Sequence, residues 1–126
     1  VEDILPGITY SGNPVDTGRP MPAFGDVVEA VATDDRIDIV LVYELFEGAL
    51  GFPVESLRGL ADRVGKPVLF ATEGPASDMA ADLAELDAAG VPVFYSPERG
   101  ADAAALLARY ADESPADAAE EVSADV

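Results

Sequence analysis

Residues 37–43 read Ile37-Asp38-Ile39-Val40-Leu41-Val42-Tyr43, and this stretch decides the fold. Its apolar side chains are mostly β-branched, and it is bounded by Asp34-Asp35 and by Gly48. A run this short has no room for a helical stripe, and it does not alternate as a half-buried strand would. It is the pattern of a strand covered on both faces, the usual state of a strand in a parallel sheet. Pro67-Val68-Leu69-Phe70-Ala71, entered through Gly65-Lys66, is a second such run. Val91-Pro92-Val93-Phe94-Tyr95, entered through Gly90, is a third, and Pro92 leaves its first rungs incompletely laddered because it has no N–H to donate.

Helical patterns separate these runs. Residues 22–33 set Phe24, Val27, Val28 and Val31 at helical spacing, with Pro22 suited to a first turn. Residues 53–64 put Val54, Leu57, Leu60 and Val64 on one face and stop at Gly65. Residues 77–89 carry Met79, Leu83 and Leu86, with Ser77 as the candidate N-cap. Residues 98–112 follow Pro97 and present Ala101, Ala105, Leu107 and Ala108. Strands alternating with helices of this length imply right-handed crossovers and a parallel α/β sheet with helical layers on its faces. A short extended segment at 7–10 precedes them. One domain is expected over residues 1–113, and the Ala/Asp/Glu-rich stretch 114–126 reads as an acidic linker or disordered tail.

Open sheets of this class usually hold about five strands, so three full strands imply an incomplete sheet. The strand at 37–43 is then expected at an edge, with unpaired backbone groups that invite self-association or pairing with a retained upstream segment. Val1 in place of Met leads to the expectation that the chain is a piece of a longer one.

Composition excludes whole classes of function. The 126 residues carry 25 acidic and seven basic side chains, a formal net charge of −18. Such a chain repels nucleic acid and anionic membrane surfaces. Hydrophobic residues still make up 49% of it, enough apolar material to offset the ordering entropy of folding. Cysteine and histidine are both absent, which removes disulfides, thiolate nucleophiles, imidazole bases and phosphohistidine. No apolar run approaches the roughly 20 residues of a membrane span, and a cytoplasmic location is expected. The basic side chains are six arginines and Lys66 alone, and the acids fall mostly outside the apolar runs. That distribution suits a salt-rich cytoplasm, where charge repulsion is screened.

The densest polar cluster is Ser11-Gly12-Asn13-Pro14-Val15-Asp16-Thr17-Gly18-Arg19. As a plain loop, Asn13-Pro14 starts a turn and Asp16 caps it. As a ligand-facing loop, its glycines permit close approach while Asn13, Asp16, Thr17 and Arg19 offer polar contacts. It is neither a P-loop nor a dinucleotide fingerprint. Glu44, Thr72, Glu73 and Ser96 fall at the carboxyl ends of the three strand runs, where an open parallel sheet lines its crevice. There a pair such as Glu44 and Glu73 has the chemistry for acid–base work, although solvated loop acids explain the same residues. A phosphoacceptor receiver is excluded, because Lys66 stands before its strand rather than after it.

The ordered set of Gly-Asn-Pro-Val-Asp-Thr-Gly-Arg-Pro at 12–20, Asp34-Asp35-Arg36-Ile37-Asp38-Ile39-Val40, Gly65-Lys66-Pro67-Val68-Leu69, Ala89-Gly90-Val91-Pro92-Val93-Phe94 and Ser96-Pro97-Glu98-Arg99-Gly100-Ala101 resembles the ligase-CoA domain of NDP-forming acyl-CoA synthetases. These are the relatives of succinyl-CoA synthetase that include ADP-forming acetate–CoA ligase, and the resemblance covers about residues 5–112. It implies a flavodoxin-like three-layer α/β/α sheet and a part in reversible conversion of acyl-CoA, phosphate and NDP into acid, CoA and NTP. It also implies partner domains that bind CoA, carry the phosphohistidine and grasp the nucleotide, with coenzyme A, nucleotide and Mg2+ as cofactors of the full enzyme and none in this segment. Asn13 to Asp16, with Thr17, Gly18 and Arg19, would line the site visited by the phosphohistidine loop, with no catalytic residue in this segment. The glycine-rich anion site expected upstream of that loop does not occur in this sequence. A stand-alone flavodoxin-like module that binds a small ligand or a protein is the alternative.

Charge also sets the expected response to salt. Repulsion among 18 excess negative charges is screened within about 3 Å at 1 M salt but reaches about 30 Å at 0.01 M. The thermal midpoint followed by circular dichroism is therefore expected to climb steadily from dilute buffer to molar KCl. A midpoint indifferent to salt would contradict salt adaptation.

Overall fold

The computed structural model describes residues 10–18 and 23–113. Arg19, Pro22, most of the 7–10 segment and the 114–126 tail lie outside them. Eight elements follow in order: α1 (Phe24–Ala32), β1 (Val40–Leu45), α2 (Val54–Leu57), α3 (Leu60–Val64), β2 (Val68–Glu73), α4 (Ala76–Ala88), β3 (Val93–Phe94) and α5 (Pro97–Glu113). The three strands form one parallel sheet in the order β1-β2-β3. This is the incomplete, open, helix-flanked α/β sheet that the alternating pattern implies. Among the described residues no helix is long and apolar enough to cross a membrane.

Side-chain parity builds the layers. Val40 and Val42 of β1 and Val68 and Phe70 of β2 point to one face, where they meet Val28, Ala32, Val54, Leu57, Leu60, Met79, Leu83 and Leu86 from α1 to α4. Phe52 stacks edge-on against Phe70 at 5.0 Å and Phe46 against Phe52 at 5.4 Å, which ties the segment after β1 into this core. On the opposite face α5 crosses all three strands, chiefly β2. Gly100 makes that crossing close, since a Cβ there would stand 2.8 Å from Leu41 Cδ1 and 3.2 Å from Ala71 Cβ.

Several local expectations are corrected. The first strand starts at Val40 rather than Ile37, because residues 34–37 form a turn in which the Ile37 N–H donates to the Asp34 carbonyl (3.0 Å). Nor is β1 buried on both faces: Tyr43 is 44% and Leu45 57% exposed, since α5 sits over β2 and leaves that side of β1 open. The double burial belongs to β2, buried from Val68 through Thr72.

The helix expected over 53–64 is two short helices, broken where Gly59 takes φ +63°. The third strand shrinks to Val93–Phe94, with Pro92 contributing only its carbonyl, which accepts the Phe70 N–H (2.9 Å). Ser77 is not the N-cap of α4: Pro75 holds that position, and the Ser77 hydroxyl donates to Asp78 Oδ1 (2.9 Å). In α5 the packed face is Gly100 with Ala103 and Ala104, while Ala101, Ala105, Leu107 and Ala108 are exposed.

The close crossing at Gly100 gives a direct test. Gly100→Val is expected to lower unfolding free energy by about 1–3 kcal/mol through overpacking against Leu41 and Ala71. Ala101→Val, one position along on the exposed side, should cost no more than about 0.7 kcal/mol of helix propensity. Urea melts of the two variants make the comparison, and equal losses would contradict the packing described.

Candidate functional site

The edge of β1 opposite β2 borders a cleft of about 1010 Å3. One wall is the loop Ser11–Gly18, and the other is made by α1 and the length of β1. The loop closes on itself through an antiparallel bridge, in which the Asp16 N–H donates to the Tyr10 carbonyl (2.8 Å). Asp16 Oδ1 accepts the Gly18 N–H (2.8 Å), the short-range bond that makes Asp a turn residue, and the donor Gly18 lies at φ +70°. The Tyr10 ring folds so closely over Gly12 that a Cβ there would come within 2.6 Å of it. The Asn13-Pro14 peptide is cis. Asn13, Pro14, Val15, Asp16, Thr17 and Gly18 therefore all line one concavity, and Arg19 lies outside the described residues.

The strand-end candidates part company. Glu44 points to the α1–α4 face and lines the cleft. Its register partner Thr72 faces the same way but is fully buried, its hydroxyl against Met79 Sδ at 3.9 Å, so it cannot meet a ligand. Glu73 points to the opposite face, where it accepts the Tyr43 hydroxyl (3.0 Å). Burial, that bond and the nearby charges of Glu73 and Glu98 raise the Tyr43 hydroxyl above its ordinary pKa. A Glu44–Glu73 acid–base pair is thus ruled out by strand parity: consecutive positions across the ladder put the two carboxylates on opposite sides of the sheet. Ser96 serves α5 instead of a crevice. Its hydroxyl accepts the Arg99 N–H (3.2 Å), an N-cap completed by Pro97 at the first helical position.

Asp34, Arg36 and Glu47 also line the cleft and were not singled out from sequence. Arg36 grips Asp34 through Nε and Nη2 (2.9 and 2.7 Å) and its backbone N–H (2.9 Å). These hydrogen bonds hold the Asp34 carboxyl well below the usual carboxylate range. The Asp-x-Arg spacing in a turn was the available signal. Lys66 stays at the opposite, amino end of the sheet, its ammonium donating to the Asp34 carbonyl (2.8 Å).

Glu44 is the chemically unusual member. Its carboxyl is pushed up to about 7, first by burial and then by the charge of Glu47. Its Oε1 is shut away from solvent and accepts no hydrogen bond among the described residues. A carboxyl in that state takes up and releases a proton near neutrality and, when neutral, donates a hydrogen bond. Among the described residues no group of three or more Asp, Glu, His or Cys is placed to hold a metal ion. Comparison of the chain with protein families, with curated proteins and with solved structures finds no match.

The raised value sets a pH dependence. The unfolded chain ionises Glu44 near 4.5 and the folded chain near 7, so the unfolded state loses its proton first as pH rises. Folding stability therefore falls between those values and levels off above. Glu44→Gln is expected to add about 1–2 kcal/mol at pH 8 and little at pH 4, since Glu44 is only half-buried and solvent screens part of the effect. Chemical denaturation at the two pH values reads this, and a gain equal at both would contradict a buried, proton-holding Glu44.

Proposed function

We propose that the chain is a domain of an NDP-forming acyl-CoA synthetase that lines the reaction site without supplying its nucleophile. The observation that carries this reading is the placement of Asn13 to Gly18: the loop whose sequence resembles the ligase-CoA motif forms one wall of the cleft beside an open parallel sheet. The composition agrees, because a chain without histidine has no residue to carry the phosphoryl group. In this reading coenzyme A, nucleotide, Mg2+ and the phosphohistidine belong to partner domains of the same or an associated chain. Asp16 and Asn13 present short polar groups to the incoming loop, and Glu44 supplies a carboxyl that is neutral or ionised according to its surroundings.

The reading predicts two linked results. The 126 residues alone form no label-retaining species with γ-labelled ATP and release no CoA from acetyl-CoA. The protein encoded by the complete gene cleaves acetyl-CoA in the presence of ADP and phosphate, and Asp16→Ala in that protein lowers kcat/KM at least tenfold with its circular dichroism unchanged. Stable labelling of the isolated chain, or a complete protein with no acyl-CoA turnover on acetyl-, propionyl- or succinyl-CoA, would overturn it.

A further inference from the structure

The second half of α5 outruns the body it packs on. Gly100 meets Leu41 and Ala71, and Ala103 and Ala104 are half-buried, but from Ala105 through Asp112 every residue is exposed. That stretch still carries large apolar side chains: Leu106 is 58%, Leu107 39% and Tyr110 72% exposed. Ala103, Leu106 and Tyr110 stand three and four residues apart, so they form one stripe along the helix, with Leu107 at its margin. About two turns of helix gain little stability on their own, and a stripe of this kind is what helices bury against a partner.

Opposite charges flank the stripe. Asp102 and Arg109 are seven residues apart, which puts them on one line of the helix surface, about 10 Å from each other along the axis. Among the described residues neither side chain takes part in an ion pair. A two-fold axis midway between them, relating α5 to an antiparallel copy of itself, brings Arg109 of each copy to Asp102 of the other. The same axis sets Leu106, Leu107 and Tyr110 of one copy level with Ala105, Ala104 and Ala101 of the other, large side chains against small ones. A surface that meets both conditions about one axis is self-complementary, as a two-fold interface must be.

We infer that α5 is an interaction surface for a second copy of this chain, the two helices packing antiparallel through Ala103, Leu106, Leu107 and Tyr110 and closing two Asp102–Arg109 pairs. Residues 114–126 are the poorer occupant, because they bring four acids and no cation to Asp102, with Val122 and Val126 as their only apolar side chains beyond alanine and proline. The strip is about 18 Å by 10 Å, well below the roughly 800 Å2 per partner of a standard interface, so the dimer is a weak one. The net charge of −18 on each copy opposes approach in dilute buffer. About 1 M salt confines that repulsion to roughly 3 Å and screens pairs inside a contact much less. None of these residues lines the cleft beside β1, so the surface is independent of the ligase reading.

Sedimentation equilibrium of the full 126-residue chain in about 1 M KCl, at up to about 1 mM protein, tests this. A monomer–dimer equilibrium is expected, fading in dilute buffer. Leu106→Glu keeps a good helix former at an exposed position and is expected to abolish the dimer. Arg109→Asp and Asp102→Arg are each expected to weaken it about fivefold, and the two changes in one chain to restore it. Circular dichroism checks that each variant keeps its helix content. A chain that stays monomeric throughout overturns the inference, as would happen if residues 114–126 covered the stripe. A dimer unchanged by Leu106→Glu overturns it too, by placing the contact elsewhere. Asp102→Arg makes the chain less negative, so a tighter dimer in that variant would mean that net charge, not pairing, governs association. A double variant as weak as the single ones would likewise rule out the antiparallel pairing.

Discussion

The fold depends on a single strand being removed from water on both faces and both edges. From Val68 through Thr72 every residue of β2 is buried, and among the described residues β2 is the strand with a neighbour on each side. A backbone placed that deep must satisfy all its polar groups within the protein. The register with β1 over six residues and with β3 at Phe70 and Ala71 does this. Phe70 then holds the core together from one face, edge-on to Phe52, while Ala71 on the other face is small enough to let α5 approach at Gly100.

The cleft is the consequence of the same arrangement seen from β1. α5 lies over β2, so β1 has one covered face and one half-open face, and among the described residues no strand pairs with its second edge. The loop Ser11–Gly18 stands off that edge and leaves a trough between them. Glu44 is caught where the covered face runs out: it shares the parity of Val40 and Val42, so its carboxyl is directed toward the core side, yet it sits far enough along the strand to reach the trough. Partial desolvation of a carboxyl at such a boundary is what moves its proton affinity toward neutrality.

The sequence made the layered architecture legible because short β-branched runs and helix-spaced apolar residues differ in period, and period survives without any tertiary information. What it concealed depended on which neighbour each element found. Residues 37–43 are more apolar than their site requires, so composition suggested double burial, and only the position of α5 shows that it belongs to β2. Gly59 lies inside the helical stripe expected over 53–64, and its positive φ splits that stripe in two. In α5 the alanines are too alike to mark a face, and the deciding residue, Gly100, carries no side chain to be counted. The Asn13–Gly18 loop was visible as a polar cluster. Strand parity, which separates Glu44 from Glu73, was not visible, because the expected strand boundaries differ from the observed ones by one to three residues and a sequence carries no ladder register.

Native-state hydrogen exchange across β2 tests the central constraint most directly. If the doubly buried strand holds the sheet together, the amides of Leu69, Phe70 and Ala71 exchange only through global unfolding. Their opening free energies then match one another and match the value from denaturant melts, and all of them fall together under increasing urea. Opening free energies for these amides well below the global value, or lower than those of α4, would contradict the account and place the stable centre of the domain elsewhere.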